Sequence, residues 1–393
     1  MTPLAISAYT LTTALGAGRA ATLDALRAER SGLAPAQFLD VALPTWLGEV
    51  AGLADAPLPA DLADFDCRNN RLAWRGVQQD GFADAVLAAR ERWGAQRVAV
   101  LLGTSTAGLL ETELGYRHRG PAGELPDDVR YRDRQNTYSV GAFVTRAFDL
   151  RGPSWVVSTA CSSSAKVYAS AARLIAAGLV DAAIVGGVDS LCLTTLYGFN
   201  SLELLSSEVC RPWDAQRRGL SIGEGAAFAL LERDVGSPQG WLLGTGESND
   251  GYHMSTPHPQ GAGAIAAMRA ALADAALAPA DIGYVNLHGT ATPSNDASED
   301  AAVGHVFGTQ TPCSSTKGAT GHTLGAAGGV EAAICLLALQ DGLLPAGLNV
   351  QQPDPALTLN YLHRNAHAPL RAVLSNSFGF GGTNASLIIG KAS

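Results

Sequence analysis

The 393-residue sequence predicts an α/β protein built as two successive halves. Three observations predict it. Short Val- and Ile-rich runs alternate with longer Ala/Leu segments of helical period. The runs are apolar throughout instead of alternating with polar residues, as strands covered on both faces are. The order of elements then starts again after Ser237-Pro238-Gln239-Gly240. We place the boundary between halves at 236, giving units of 1–236 and 237–393.

In the first half, Arg97-Val98-Ala99-Val100-Leu101-Leu102, Trp155-Val156-Val157-Ser158 and Ala182-Ala183-Ile184-Val185-Gly186 read as strands, and 162–177 as an Ala-rich helix. In the second, Trp241-Leu242-Leu243 and Ile282-Gly283-Tyr284-Val285-Asn286 read as strands, and 262–276 and 324–339 as helices. Pro and Gly are dense in 52–61 and 118–128, which we expect to be surface loops or a cap.

Apolar residues make up 47% and charged residues only 16% of the chain, so much of the surface is expected to be covered within the fold or by an oligomeric partner. The net charge of −9 argues against a nucleic-acid binder, which needs a basic excess to meet phosphate. The six cysteines include no C-x-x-C pair, so no structural metal site is expected and the thiols read as reduced, in a cytoplasmic enzyme. No basic segment precedes the first apolar residues, and no stretch approaches the ~20 uninterrupted apolar residues of a membrane span. Neither export nor membrane insertion is expected.

Three turns could carry chemistry. Thr159-Ala160-Cys161-Ser162-Ser163-Ser164 joins a strand to a helix, which puts a thiol at a helix N-terminus. Unpaired N–H groups and the positive helix end favour thiolate there, and the same N–H groups could hold an oxyanion. A lone cysteine is more often a small buried apolar residue. Two histidine turns shift that balance: Val285-Asn286-Leu287-His288-Gly289-Thr290-Ala291-Thr292 at a strand end, and Ser314-Ser315-Thr316-Lys317-Gly318-Ala319-Thr320-Gly321-His322 before a helix. The glycine-rich Asn376-Ser377-Phe378-Gly379-Phe380-Gly381-Gly382-Thr383-Asn384, between two apolar strands, is either a tight hairpin or a loop approaching a reacting carbonyl.

These motifs, with Arg211-Pro212-Trp213-Asp214 and Gly223-Glu224-Gly225-Ala226, resemble in order the signatures of β-ketoacyl-acyl-carrier-protein synthases of the I/II type across essentially the whole chain. The resemblance implies a thiolase-like fold, two duplicated halves in a layered α-β-α-β-α body. It implies a nucleophile at Cys161, accepting an acyl chain from the phosphopantetheine arm of an acyl carrier protein, with no other cofactor. His288 and His322 would act as neutral donors to the enolate left when malonyl-carrier loses carbon dioxide. The N–H groups of Cys161 and Phe380 would hold the oxyanion, and Phe380 would gate the acyl pocket. Lys317 either orients this network through a salt bridge to Glu331 or takes part directly. Thr290 and Thr292 match hydroxyls that bind the pantetheine amides; Thr106, Phe199 and Glu331 match substrate-binding positions. Arg68 and Arg71 resemble the carrier-docking helix, although a solvated helix face explains their spacing equally well.

The cluster 189–200 is similar to ketosynthases of aryl polyene pathways, and the resemblance implies either a homodimer or a heterodimer with a chain-length-factor-like relative. In Gln216-Arg217-Arg218-Gly219 an arginine, Arg218, stands where the family carries an acidic residue. A coenzyme A thiolase is the competing enzyme class, but the 376–384 loop has no second cysteine. A non-catalytic chain-length factor would lack the nucleophile that Cys161 supplies.

Overall fold

The computed structural model describes residues 1–233 and 235–391. Ten strands form one continuous sheet path: β1 (Leu4–Thr13), β2 (Val98–Gly103), β3 (Ser154–Val157), β4 (Ala182–Asp189), β5 (Gly225–Glu232), β6 (Gly240–Asn249), β7 (Tyr284–Asn286), β8 (Cys313–Ser314), β9 (Ala372–Gly379) and β10 (Thr383–Gly390). Their spatial order is β8-β7-β9-β10-β6-β1-β5-β4-β2-β3, with Gly16–Ala17 pairing off the path against β1. Outward from the junction of β1 and β6, each set of five runs first, fifth, fourth, second, third in chain order. The two sets meet antiparallel through Leu4↔Leu242, Ala5↔Trp241 and Ile6↔Gly240, and the chain passes from one to the other between Glu232 and Gly240.

The helices used below are α1 (Arg68–Val77), α2 (Ser163–Ala176), α3 (Leu193–Ser201), α4 (Ala262–Ala275), α5 (Pro293–Phe307) and α6 (Ala327–Asp341). Alternation along the strands assigns the layers. In β2, Ala99 and Leu101 join the core that contains α2 and α6, while Val98, Val100 and Leu102 face α1. In the second set, Val373, Leu387 and Ile389 turn to α2 and α6, and Leu374 and Ile388 turn to α4 and α5. Both faces of each sheet are therefore covered, which is why the strands read as unbroken apolar runs. The result is a five-layer α-β-α-β-α body with α2 and α6 at its centre.

Every residue of α6 from Ala327 to Leu339 is buried. The span Leu324–Asp341 is long and apolar enough to cross a membrane by composition, yet 89% of it is buried inside the molecule. A helix apolar on all sides is what a central layer requires. The two central helices touch almost backbone to backbone: a Cβ on Gly328 would lie 2.7 Å from both the Cβ and the N of Ala165. The first turn of this predicted helix is a 3₁₀ turn, Leu324–Ala326, before the α-helix starts.

Because that contact involves backbone, a branched side chain at 328 forces the layers apart. Gly328→Val is expected to destabilise by about 1–3 kcal/mol, read as a lower denaturant midpoint; an unchanged midpoint would show that the central layer yields freely.

Candidate active site

Cys161 follows β3 and precedes α2, which begins at Ser163. Ala160 before it has φ 51°, a left-handed conformation that costs a non-glycine residue roughly 1–2 kcal/mol. The serines that follow hold this turn. Thr159 N–H donates to Ser163 Oγ (2.8 Å), Ser163 Oγ–H donates to Ala160 O (2.6 Å), and Ser162 Oγ–H donates to Thr159 O (2.9 Å). Ser164 accepts Gly329 N–H at 2.8 Å and ties α2 to α6.

His288 lies just beyond β7, and α5 holds its turn. Glu299 accepts His288 N–H at 2.8 Å and Gly289 N–H at 2.7 Å; burial pushes its carboxyl up to about 7. His322 is anchored by its own N–H to Ser221 O (2.8 Å), and its Nδ1 accepts Leu324 N–H (3.3 Å). That bond assigns the ring proton to Nε2, which lies 3.0 Å from Cys161 Sγ. The Lys317 ammonium sits 3.4 Å from His288 Nδ1, so His288 likewise presents Nε2–H to the cavity. One sulfur and two imidazole nitrogens converge, all within 4.8 Å of one another, and the two rings meet edge to face at 5.3 Å.

Lys317 is completely buried and donates to the His288 carbonyl and to Glu331. Of the two roles open to Lys317, its contacts with the His288 carbonyl, His288 Nδ1 and Glu331 are those of the orienting one. Glu331, pushed up to about 7 by burial against the pull of Lys317, pairs with that ammonium inside the central layer and does not line the cavity. Its expected place among substrate-binding residues is corrected accordingly.

The burial of the site opposes the expected activation of the thiolate. Burial pushes the Cys161 thiol up to about 12, against the lowering effect of Lys317. Burial first and Lys317 second hold His288 well below the usual imidazole range, and the same two causes act on His322. Removal from water thus favours the neutral thiol, against the pull of the helix end, and the thiol faces two imidazoles that burial and Lys317 hold toward the neutral form.

The cavity in front of Cys161 is about 50 Å³ and is lined by His288, His322, Thr290, Thr292, Phe199 and Phe380 among others. Thr290 and Thr292 place their hydroxyls 3.0 Å apart. Phe199, on α3, faces Phe380 with ring centres 5.6 Å apart. The 376–384 segment is the tight hairpin the sequence allowed, with β9 pairing β10, and its Phe380 and Gly382 also line the cavity.

Three expectations do not hold. Thr106 is buried away from the cavity, its hydroxyl donating to Asp189 at 2.7 Å. Asp189 also accepts from Thr104, Ser105 and Gly325 and so fixes the loop after His322. Arg68 is buried against Glu224 (2.7 Å) and Glu49 (3.1 Å), with its guanidinium over the Phe38 ring. Arg71 is paired with Asp66 at 2.6 Å and with Ala54 O. Arg68 serves the interior of the fold, and Arg71, partly exposed, is held in its ion pair with Asp66, so neither presents an unpaired charge.

Sequence reasoning missed Glu299 and Asp189. The one available signal was a run of acids, Asp296, Glu299 and Asp300, on the helix directly after a histidine turn.

A thiol held near 12 ionises in proportion to hydroxide at ordinary pH. Iodoacetamide alkylation of Cys161 is expected to rise about tenfold per pH unit from 7 to 9.5 without levelling. A plateau with a midpoint below 8 would show that the helix end prevails.

Comparison with known proteins follows the same lines. Residues 64–235 match the model of the beta-ketoacyl synthase N-terminal domain, and residues 240–351 that of the C-terminal domain. The 3-oxoacyl-[acyl-carrier-protein] synthase 2 of Coxiella burnetii is 32% identical, with 94% of this chain and 93% of that protein aligned. Among solved structures, the ketosynthase ApeO from Xenorhabdus doucetiae, in complex with its chain length factor ApeC, is 39% identical with a TM-score of 0.91, covering 100% of this chain and 98% of that one. A beta-ketoacyl synthase from Burkholderia phymatum is 30% identical, also with a TM-score of 0.91 and complete coverage of both chains. The chain belongs to the β-ketoacyl synthase family.

Proposed function

We propose that this protein condenses an acyl group held on Cys161 with the malonyl group of a carrier-bound thioester, releasing carbon dioxide and a 3-oxoacyl-carrier thioester. One observation carries the reading: a single sulfur faces two neutral imidazole N–H donors within 4.8 Å at the end of a lined cavity. Acyl transfer comes first, with the sulfur attacking the incoming thioester as its proton passes to the departing carrier thiol. Malonyl-carrier then binds with its thioester oxygen toward His288 and His322. Loss of carbon dioxide leaves an enolate, whose negative oxygen takes both Nε2–H bonds. The enolate carbon attacks the Cys161 acyl carbon, the tetrahedral oxyanion accepts from the N–H groups of Cys161 and Phe380, and the C–S bond breaks to return the sulfur. Neutral rings suit this role, because a cationic imidazole would hand its proton to the enolate and quench it.

A cavity of about 50 Å³ is far below the ~300–1,000 Å³ of a typical ligand site. The acyl chain therefore enters when the Phe199–Phe380 pair parts. Two partners fit. The first is an acyl carrier protein, whose phosphopantetheine arm delivers both substrates, so that no resident cofactor is needed. The second is another subunit, identical or chain-length-factor-like: β3 is the last strand of the sheet path, with one neighbour, and its residues are only half-buried. The ketosynthase ApeO, solved with its chain length factor, and the likeness of residues 189–200 to aryl polyene ketosynthases favour a heterodimer in a polyene pathway. Six free cysteines suit a reducing, cytoplasmic setting.

Cys161→Ala is expected to abolish the acyl adduct seen by intact-mass spectrometry after incubation with acyl-carrier, with the fold retained; an undiminished adduct removes Cys161 from the mechanism. His322→Ala is expected to slow carbon dioxide release from malonyl-carrier by roughly 10²-fold or more, and unchanged release would contradict the donor role.

A further inference from the structure

The cavity's lining is rich in polar residues but includes no Lys or Arg. Thr290, Thr292, Ser294, Asn295 and Ser255 line it, and the one carboxylate, Asp250, already accepts from His258 N–H and Asn384. Among the described residues, Arg218 is the one Lys or Arg within two positions of a lining residue, Leu220.

The backbone ties the residues after Arg218 to the cavity wall. Gly219 N–H donates to the carbonyl of Ala291 (3.0 Å), the residue between the two cavity threonines, and Leu220 N–H donates to Leu204 O (2.9 Å). Leu204 and Leu220 both line the cavity. The arginines on either side of this turn are fully engaged: Arg211 with Glu208 and Asp214, Arg217 with Asp296 and Asp354. Arg218 is different. It is exposed and makes no ion pair or side-chain hydrogen bond among the described residues. Glu203, next to Leu204, is also exposed, and among the described residues no ion pair joins it to Arg218.

We infer that Arg218 holds the phosphodiester of the phosphopantetheine arm as the arm enters past Thr290 and Thr292. The inference rests on the carrier-dependent activity proposed above. The arm carries one anion, beside the carrier serine, and amides beyond it toward the thiol. An exposed guanidinium without an ion pair, two residues from the cavity wall, and two hydroxyls on that wall match that order of groups. The charge at this position is opposite to the acidic residue of the family turn, so the contact would be a property of this chain.

The test compares one acyl chain on two small donors, pantetheine and phosphopantetheine thioesters, with loading of Cys161 followed by intact mass. The wild-type protein is expected to show a KM lower by roughly fivefold for the phosphorylated donor at low salt, a preference that fades as salt screens the pair. R218A is expected to abolish the difference, leaving kcat and the pantetheine KM unchanged, and R218K to keep part of it. Equal KM values in the wild type, or a preference that survives in R218A, would overturn the inference. A loss in R218A confined to donors on intact carrier protein would also overturn it, assigning the arginine to carboxylates on the carrier surface. Failure of every donor to acylate Cys161 would instead remove the reading of function on which it rests.

Discussion

The backbone-close packing of α2 against α6 is the constraint from which the site follows. The two helices occupy equivalent places in the two five-strand sets and meet where Gly328 opposes Ala165. Cys161 stands just before the start of one helix and His322 just before the start of the other. Bringing the helix starts together sets Sγ and Nε2 at 3.0 Å without any loop having to reach across. The remaining histidine arrives from the sheet itself, at the end of β7, with Glu299 accepting its backbone N–H. Rigid elements thus hold every reacting group, which is what a geometry-dependent carbon–carbon bond formation needs.

Charge in this centre is kept apart from the chemistry. One ammonium, Lys317, lies inside the molecule, and it is neutralised by Glu331 while gripping the His288 carbonyl. Its field still reaches both imidazoles, and with burial it keeps them unprotonated. The same burial raises the thiol. A site with no net free charge at rest gains most from its N–H donors at the moment an enolate forms, because nothing else in the low-dielectric pocket competes for them.

Part of this was legible in the sequence, for a physical reason. Strands buried on both faces leave unbroken apolar runs, so those at 98–103, 154–157, 182–189, 240–249 and 284–286 could be read, as could the helices that begin near 163, 262 and 327; the first strand, Leu4–Thr13, and the strand Gly225–Glu232 were not. Cys161, His288, His322, Thr290, Thr292 and Phe380 were legible because each sits in a short, compositionally distinctive turn, whereas Phe199, on a helix, was legible only through the family resemblance. Partnerships over long separations were not. Arg68 repeats positive charge with Arg71 on a helix, which reads as a surface stripe until Glu224, 156 positions away, is found beneath it. Thr106 reads as a pocket residue until Asp189, 83 positions on, takes its hydroxyl. Glu331 and Glu299 look like ordinary helical acids, and only the tertiary fold reveals which backbone or ammonium they meet. The opposing effect on the thiol was hidden for a related reason: a helix end is a local feature, but burial is a property of the whole body.

The central position of α6 also bears on the order in which the chain can become itself. Its apolar circumference is covered by strands from both ends of the chain, and the last of them, β9 and β10, lie within residues 372–390. During synthesis the helix leaves the ribosome with one flank still bare and stays so until the closing hairpin is made. That same hairpin carries Phe380. Completion of the core and completion of the catalytic wall are therefore a single late event, so that an unfinished chain exposes a sticky helix but has no assembled site.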